Sequence, residues 1–333
     1  MTKGSKLQAH NVWRRFAAVF LVIFLGGLGL IYVLLVAIDP YDTGRFPTFM
    51  PPGIADNGQR TADASLGRNP QFDAAVFGNS RGHLIDPARL SQATAMSFVQ
   101  LTTPGSGPKE QMTLMRYFMA HHSHIAAMVI AIDERWCDHD PSLPVIFPFP
   151  FWLYRGDLEY LAHLLSTRAI TSARNRIALA WGWRPPSNPR GYSDYETGRT
   201  WNFHPGPFIE PNAAPVPAKQ PITYFPAIEE FDGILAALPA KTRIVIVMPP
   251  VYRVMLPRPG TQIAADLPDC KAALARRVAG RPRSGFLDYL VDGPIGRDPQ
   301  NFMDQGHYRL NIARMIEARI VDVLDPTGKS VSE

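Results

Sequence analysis

The sequence predicts an α/β protein built on a mostly parallel β-sheet. Short apolar runs occur at residues 73–77, 126–132 and 242–248, and near-continuous runs of this length are typical of strands buried on both faces of a sheet. Segments with helical periodicity separate them, and strands that alternate with helices form parallel sheets covered on both faces. The 333 residues are 46% hydrophobic, so the chain can bury a core of that kind.

The individual elements follow this alternation along the chain. Pro108 stands at the first position of a predicted helix, where its missing N–H costs nothing. Arginines lie near the end of a later helix, and the last helix is amphipathic. The predicted strands are 73–77, 95–99, 126–132, 242–248 and 286–290, and the predicted helices are 108–119, 227–238, 265–278 and 307–324.

The net charge of +5 and the pI near 9.2 are compatible with a nucleic-acid-binding protein, but most of the excess positive charge lies in the N-terminal segment. Residues 1–38 carry four basic side chains and no acidic one, which leaves about +1 for the rest of the chain. A protein that binds nucleic acid needs a basic face that follows the phosphate backbone. We therefore expect no nucleic-acid partner.

The 23 residues from Phe16 to Ile38 contain no charge and predict a membrane anchor. A helix of that length reaches about 35 Å, enough to cross a hydrocarbon core of about 30 Å. The run is longer than the apolar region of a cleavable signal peptide and ends without a pair of small residues for cleavage. Basic residues precede it and Asp39 and Asp42 follow it. The positive-inside rule then places residues 1–15 in the cytoplasm and the main domain in the periplasm of a bacterial inner membrane.

Two regions interrupt the α/β pattern. Residues 39–70 are rich in Pro and Gly, and we expect a linker or irregular stalk. Residues 138–226 contain clustered aromatics and prolines, and we expect an insertion with one or two helices at about 157–181. Its aromatics can form their own core, contact a sugar or acyl group, or lean on lipid headgroups. The α/β domain then comprises 71–137 and 227–325, with a tail at 326–333.

Ser80 is the candidate nucleophile. It lies in Gly78-Asn79-Ser80-Arg81-Gly82, directly after the first predicted strand. Ligands of open α/β sheets gather at the carboxyl ends of the strands, and a tight turn there can point backbone N–H groups at an oxyanion. The alternative is an ordinary turn serine.

A serine hydroxyl needs a base and a group that orients the base. Asp304 and His307 supply both within Asp304-Gln305-Gly306-His307, just before the last helix. Asp304 can alternatively be the N-cap of that helix. The Gly-x-Ser-x-Gly string also matches the elbow of α/β-hydrolases, but that fold places its serine after a later strand.

This arrangement resembles the SGNH (GDSL-type) hydrolases, especially their membrane-anchored branch related to alginate O-acetyltransferases and the D-alanine transfer proteins of teichoic acid. The resemblance covers about half of the chain. It implies a flavodoxin-like three-layer α/β/α sandwich, with Ser80 as nucleophile, His307 as base and Asp304 as orienting acid. It also implies an oxyanion N–H from a glycine after the second strand, for which Gly105 is the best match and Gly107 the alternative.

Two positions depart from the family pattern. Asn79 replaces the aspartate that precedes the serine, and Asp133 replaces the asparagine that follows the third strand. An ionised aspartate cannot donate a hydrogen bond to an oxyanion. Asp133 then either has another role, such as pairing with Arg81 or Arg135, or the hole is completed elsewhere, for which Asn79 and Arg81 are the candidate donors.

Cysteines and histidines leave two questions open. Cys137 and Cys270 can pair in an oxidising compartment or remain two separate buried thiols. The histidines at 121, 122 and 124, with the acids and histidine at 138–140, raise a metal hypothesis but fit no strong zinc spacing. We expect no cofactor and no bound metal.

The sequence thus predicts an anchored serine esterase or O-acyltransferase that acts, through an acyl-enzyme, on an acylated glycan or another ester of the cell envelope. The lipid bilayer is its partner through residues 16–38, and further membrane proteins can associate with it. A non-catalytic assembly or glycan-binding protein is the first alternative. A metal-dependent hydrolase is the second.

Overall fold

A computed structural model describes residues 3–55, 58–206 and 224–325, with side chains from His10 onward. Its centre is a five-stranded sheet in which every pair of neighbouring strands is parallel. The spatial order is β2-β1-β3-β4-β5, and the predicted α/β class is confirmed. The strands are β1 (Ala74–Gly78), β2 (Phe98–Thr102), β3 (Ala127–Ala131), β4 (Arg243–Met248) and β5 (Gly285–Asp288).

Helices cover both faces of this sheet. α4, α8 and α9 pack on one face and α3 and α11 on the other. The helices are α1 (Lys3–Ile38), α2 (Gln59–Gly67), α3 (Pro87–Thr94), α4 (Pro108–His121), α5 (Phe151–Tyr154), α6 (Asp157–His163), α7 (Thr167–Ala180), α8 (Pro226–Ala237), α9 (Gln262–Ala279), α10 (Pro294–Arg297) and α11 (Leu310–Leu324).

Alternate residues of each strand enter two separate apolar cores. In β1, Ala75 and Phe77 pack with α4, whereas Ala74 and Val76 face the core that contains Ile316 of α11. All five residues of β1 are buried, and the same holds for β2 and β3. A strand enclosed in this way has no solvent-exposed face, which explains why β1 and β3 are continuous apolar runs.

The largest shift from a predicted boundary concerns β2. The predicted strand 95–99 begins at Phe98, because Ala95 has a φ of +55° and ends the helix α3. That helix was not predicted, although Asp86 caps its N-terminus and Pro87 occupies the first turn. The final helix begins at Leu310 rather than at 307.

The N-terminal helix α1 is long and apolar enough to cross a membrane. Its side chains are exposed from His10 to Ile31. Its last turns differ, since Leu35 and Ile38 are only 3% and 8% exposed and belong to the core of the domain.

The segment 39–70 is not an irregular stalk, and this corrects the sequence-based expectation. It contains α2, and Asp39 and Asp42 are buried against Arg176 of α7. Ser65 of α2 donates a further hydrogen bond of 2.6 Å to Asp42. Buried charges must be paired and hydrogen-bonded, so this network fixes the segment directly after α1.

The insertion contains three helices in its described part, α5, α6 and α7, where one or two were expected. Part of its aromatic content joins the core on one face of the sheet. Trp152 and Tyr160 contact Tyr41 of the preceding segment with ring centroids 5.4 and 6.5 Å apart. Residues 207–223 of the predicted insertion and the predicted tail 326–333 lie outside the described residues.

Cys137 and Cys270 form a disulfide, which decides the question that the sequence left open. Cys137 lies in the turn after β3 and Cys270 in α9, with 5.6 Å between the two Cα atoms. Both residues are almost fully buried.

Candidate functional site

Ser80 lies two residues past the end of β1, at the carboxyl edge of the sheet. Gly78 makes this turn possible: its φ is +152°, and a Cβ there would lie 2.6 Å from the carbonyl oxygen of Ala131. Only glycine tolerates both conditions. Asn79 then caps the following 3₁₀ turn, its side-chain oxygen accepting a 2.9 Å bond from the N–H of Arg81.

The predicted serine, histidine and aspartate are in hydrogen-bond contact. Ser80 Oγ lies 2.8 Å from His307 Nε2, although 227 residues separate them in the chain. On the other side of the ring, His307 Nδ1 lies 2.8 and 2.9 Å from the two carboxylate oxygens of Asp304. In the tautomer that suits these partners, Nδ1–H donates to Asp304 and Nε2 accepts from the serine hydroxyl.

Asp304 orients the histidine rather than capping the last helix. One of its oxygens accepts from the N–H groups of Gly306 and His307 at 2.7 and 2.9 Å, while α11 begins six residues later. Burial alone would raise the pKa of the Asp304 carboxyl, but the hydrogen bonds from His307 and Gly306 hold that pKa below its ordinary value. The carboxylate is therefore ionised at neutral pH.

Local pairing holds the histidine in place. Phe302 and Tyr308 form an antiparallel bridge, and the N–H of Met303 donates a 2.8 Å bond to the carbonyl of His307. Phe302 and Tyr308 are both almost fully buried, so the loop that carries Asp304 and His307 is anchored at both ends.

The site is reachable from solvent. The side chains of His307 and Asp304 are 31% and 51% exposed, and Ser80 is half-buried. A substrate attached to a large polymer can approach such a surface without entering a closed cavity.

Asn79, Arg81 and Asp133 lie beside the serine, but their polar groups are engaged with other residues. Asn79 Nδ2 donates a 2.6 Å bond to Asp133, which also forms an ion pair with Arg135. Arg81 pairs with Glu134 at 2.6 Å. Of the two pairings weighed for Asp133, that with Arg135 is observed, and the side chains expected as oxyanion donors, Asn79 and Arg81, already donate to carboxylates.

Backbone groups remain as candidate oxyanion donors. The N–H groups of Ser80 and Gly105 donate to no other residue in the described part of the chain. Gly105 has a φ of +72° and follows β2, the neighbour of β1. The N–H of Gly107, by contrast, donates a 3.2 Å bond to Glu110. Gly105 is thus the better candidate of the two glycines.

Arg135 fixes the loop that carries Gly105. Its guanidinium donates to the backbone carbonyl of Ser106 at 2.8 Å and to that of Gly105 at 3.3 Å. The ring of Phe147, from the insertion, lies against Gly105, where a Cβ would approach it to 2.5 Å. The Asp133–Arg135 pair therefore positions the loop instead of contacting an oxyanion.

Tyr195 of the insertion was missed by sequence reasoning. Its hydroxyl donates a 3.0 Å bond to the backbone carbonyl of Ser80, and its ring stands edge-on to His307 with centroids 6.3 Å apart. The aromatic content of the insertion was noted in the sequence, but no periodicity or spacing distinguishes this tyrosine from its neighbours.

Tyr195 also stacks on a second histidine, His83, which is buried. Its Nδ1 lies 2.8 Å from Thr102 Oγ1 and its Nε2 lies 2.6 Å from Gln59 Nε2. Burial, with a smaller contribution from His307, lowers the pKa of His83 to about 4. His83 is therefore neutral at pH 7 and adds no positive charge next to the catalytic candidate.

The neighbouring Glu196 contacts the chain just after His307. It pairs with Arg309 at 2.7 Å and accepts a 2.5 Å bond from the N–H of Leu310, the first residue of α11. Residues 195 and 196 thus connect the insertion to both chain segments that form the site.

The residues of the metal hypothesis do not converge. His121 and His122 each bond to a backbone carbonyl one turn earlier in α4, and Cys137 is in the disulfide. His139 instead contacts Asp266 at 2.7 Å. The described residues contain no group of three or more metal-ligating side chains.

A comparison with known protein families and with curated proteins finds no match to this chain.

Proposed function

We propose that this protein is a membrane-anchored serine esterase or O-acyltransferase of the SGNH type, which acts on an O-acylated glycan of the bacterial cell envelope. The contact between Ser80 Oγ and His307 Nε2 at 2.8 Å, with Asp304 behind the ring, carries the proposal. The strand order β2-β1-β3-β4-β5 supports a flavodoxin-like three-layer sandwich, in which the ligand site lies at the carboxyl edge of the sheet.

The geometry supports acyl transfer in two halves. His307 Nε2 accepts the proton of Ser80 as Oγ attacks the ester carbonyl, and Asp304 stabilises the imidazolium that forms. The N–H groups of Ser80 and Gly105 stabilise the oxyanion of the tetrahedral intermediate. His307 then protonates the leaving alcohol. Water or a sugar hydroxyl, deprotonated by His307, releases the acyl group from Ser80.

The same proposal places the site in the periplasm. Basic residues precede α1 and acidic residues follow it, which orients the helix with its N-terminus in the cytoplasm. The disulfide between Cys137 and Cys270 supports this topology, because disulfides persist in oxidising compartments such as the periplasm. An envelope glycan is the class of substrate that an anchored periplasmic domain meets.

A fluorophosphonate probe tests the proposal, since it reacts covalently with activated serines. We expect the full-length protein in detergent to be labelled and Ser80→Ala to abolish the labelling, because Ser80 is the serine that is hydrogen-bonded to His307. Ser193→Ala is the matched control, as Ser193 is an exposed serine of the insertion near Tyr195, and it should label like the unaltered protein. Labelling that persists in Ser80→Ala would contradict the proposal.

One observation favours the non-catalytic alternative, a glycan-binding or assembly protein. Asn79 Nδ2 and the guanidinium of Arg81 already donate to the carboxylates of Asp133 and Glu134 beside Ser80. If two backbone N–H groups are too few to stabilise an oxyanion, the folded protein will bind glycan and remain unlabelled. Failure of the probe on correctly folded protein therefore selects this alternative.

A further inference from the structure

The last turns of α1 contact the insertion at positions that lie within the expected membrane. The hydroxyl of Tyr32, six residues before the end of α1, donates a 3.2 Å bond to the carbonyl of Leu161 in α6. Leu35 is buried in the domain core, and Arg176 of α7 donates to the carbonyl of Ile38 at 2.9 Å. α6 and α7 therefore lie alongside the last two turns of α1.

The length of the anchor fixes how deep these contacts lie. Arg14 and Arg15 set the cytoplasmic limit, so the hydrocarbon begins near Phe16. A core of about 30 Å takes about 20 helical residues and ends near Leu35. Tyr32 then lies about 4.5 Å inside the hydrocarbon boundary, and any tilt of the helix places it deeper.

The path of α6 and α7 identifies which part of the insertion is closest to the lipid. Asp157, at the start of α6, is paired with Arg45 beyond the end of the anchor, whereas Leu161 is level with Tyr32. The chain approaches the membrane along α6 and moves away from it along α7, because Arg176 is level with Ile38. The turn between the two helices is the deepest point of this hairpin, residues 157–180.

The chemistry of this turn suits an interface between lipid and water. Leu165 and Ile170 are 47% and 50% exposed, and Arg168 and Arg174 are exposed beside them. The sequence contains no Asp or Glu from 161 to 193. Exposed apolar side chains together with arginines and without acids are typical of segments that lie in an anionic membrane surface.

We propose that the hairpin 157–180 is embedded in the periplasmic surface of the bilayer, with Leu165 and Ile170 among the acyl chains and Arg168 and Arg174 at anionic headgroups. The main domain is then held in a fixed orientation on the membrane instead of swinging on a flexible stalk. This inference rests on α1 crossing the bilayer and does not depend on the chemistry of Ser80.

Site-directed spin labelling of the full-length protein in vesicles of phosphatidylethanolamine and phosphatidylglycerol tests the inference. Nitroxides are attached to Leu165→Cys and Ile170→Cys, and collisions with oxygen and with a water-soluble nickel chelate are compared. Val291→Cys is the soluble control, since Val291 is 48% exposed next to β5, and Val22→Cys is the control within the anchor. The native cysteines are buried in their disulfide and should not react.

We expect labels at 165 and 170 to favour oxygen over the nickel chelate, several-fold more than the label at 291. If the labels at 165, 170 and 291 are equally accessible to the nickel chelate while the label at 22 lies in lipid, the inference is wrong but α1 still crosses the bilayer. A water-accessible label at 22 overturns both.

A charge variant tests the role of the arginines. Arg168→Glu/Arg174→Glu should increase the nickel accessibility of the label at 170, whereas Arg319→Glu, an exposed charge reversal on α11, should leave it unchanged. No effect of the double variant would refute the headgroup contacts. An unchanged spectrum of the label at 291 in the charge variant reports that the α/β domain remains folded.

Discussion

At the scale of single residues, two histidines whose ring centroids lie 5.3 and 6.3 Å from that of Tyr195 have opposite environments. His307 is partly exposed and bonded to an ionised carboxylate, whereas His83 is buried between Gln59 and Thr102. A positive charge on His83 would oppose formation of the imidazolium at His307, and burial prevents that charge. The neutrality of His83 is thus part of the electrostatics of the site.

His83 makes the stability of the protein depend on pH. Its pKa is about 4 in the folded state and 6.5 ordinarily. Between pH 4 and pH 6.5 this imidazole is therefore protonated in the unfolded chain and neutral in the folded protein. Stability is therefore lost as the pH falls from 6.5 to 4, by about 3 kcal/mol from this residue alone. His83→Gln should flatten the pH dependence of urea unfolding in this window.

The control for this prediction is the range above pH 8, where His83 is neutral in both the folded and the unfolded protein. There His83→Gln should show the same slope as the unaltered protein. The prediction is wrong if His83→Gln retains the full slope. The lowered pKa of Asp304 acts in a separate range, since its contribution is lost only as the pH falls through that lowered value.

At the scale of elements, the site depends on a helix whose N-terminus is capped by another part of the chain. Arg309 gives α11 no side-chain cap, and the carboxylate of Glu196 accepts from the N–H of Leu310 instead. A negative charge is favourable there because helix N-termini carry a partial positive charge. The insertion thereby fixes the helix that follows His307.

Glu196→Ala should destabilise the fold by about 1 kcal/mol, the usual cost of a lost cap, and should slow fluorophosphonate labelling of Ser80. Glu196→Gln keeps an acceptor for Leu310 and should restore much of the labelling rate, which a residue that acted through bulk alone would not show. Glu159→Ala, which removes the exposed pair with Arg155, should change neither quantity. Normal labelling in Glu196→Ala would exclude the positioning role.

At the scale of the whole molecule, one covalent bond connects the two halves of the α/β domain. The disulfide joins residues 133 positions apart, on either side of the insertion, and so restricts the unfolded chain strongly. It links the turn after β3, which contains Asp133 and Arg135, to α9. Loss of this bond affects the fold first and the Ser80 region second.

Cys137→Ser/Cys270→Ser should lower the free energy of unfolding by about 2–4 kcal/mol, measured by urea unfolding in detergent. Fluorophosphonate labelling at low temperature, where the variant is still folded, should persist because neither cysteine contacts Ser80 or His307. A reductant should destabilise the unaltered protein to the same extent and leave the double variant unchanged. Equal stability of both proteins would show that the bond contributes nothing.

The sequence by itself determined an N-terminal helix long and apolar enough to cross a membrane, the α/β class and the candidate residues Ser80, His307 and Asp304. Each of these features leaves a local signal in the sequence. A long apolar helix and a strand buried on both faces are continuous apolar runs, and His307 has its acid only three residues away. The strands with the clearest apolar runs, β3 and β4, were predicted within one residue at each end.

Only the tertiary structure decided which distant residues meet. The contact of Ser80 with His307, the pairing of Cys137 with Cys270 and the hydrogen bond of Tyr195 to Ser80 each join positions more than 100 residues apart. The segment 39–70 appeared irregular because its order comes from Arg176, far along the chain. Such contacts arise from packing around the sheet and leave no periodic trace in either partner.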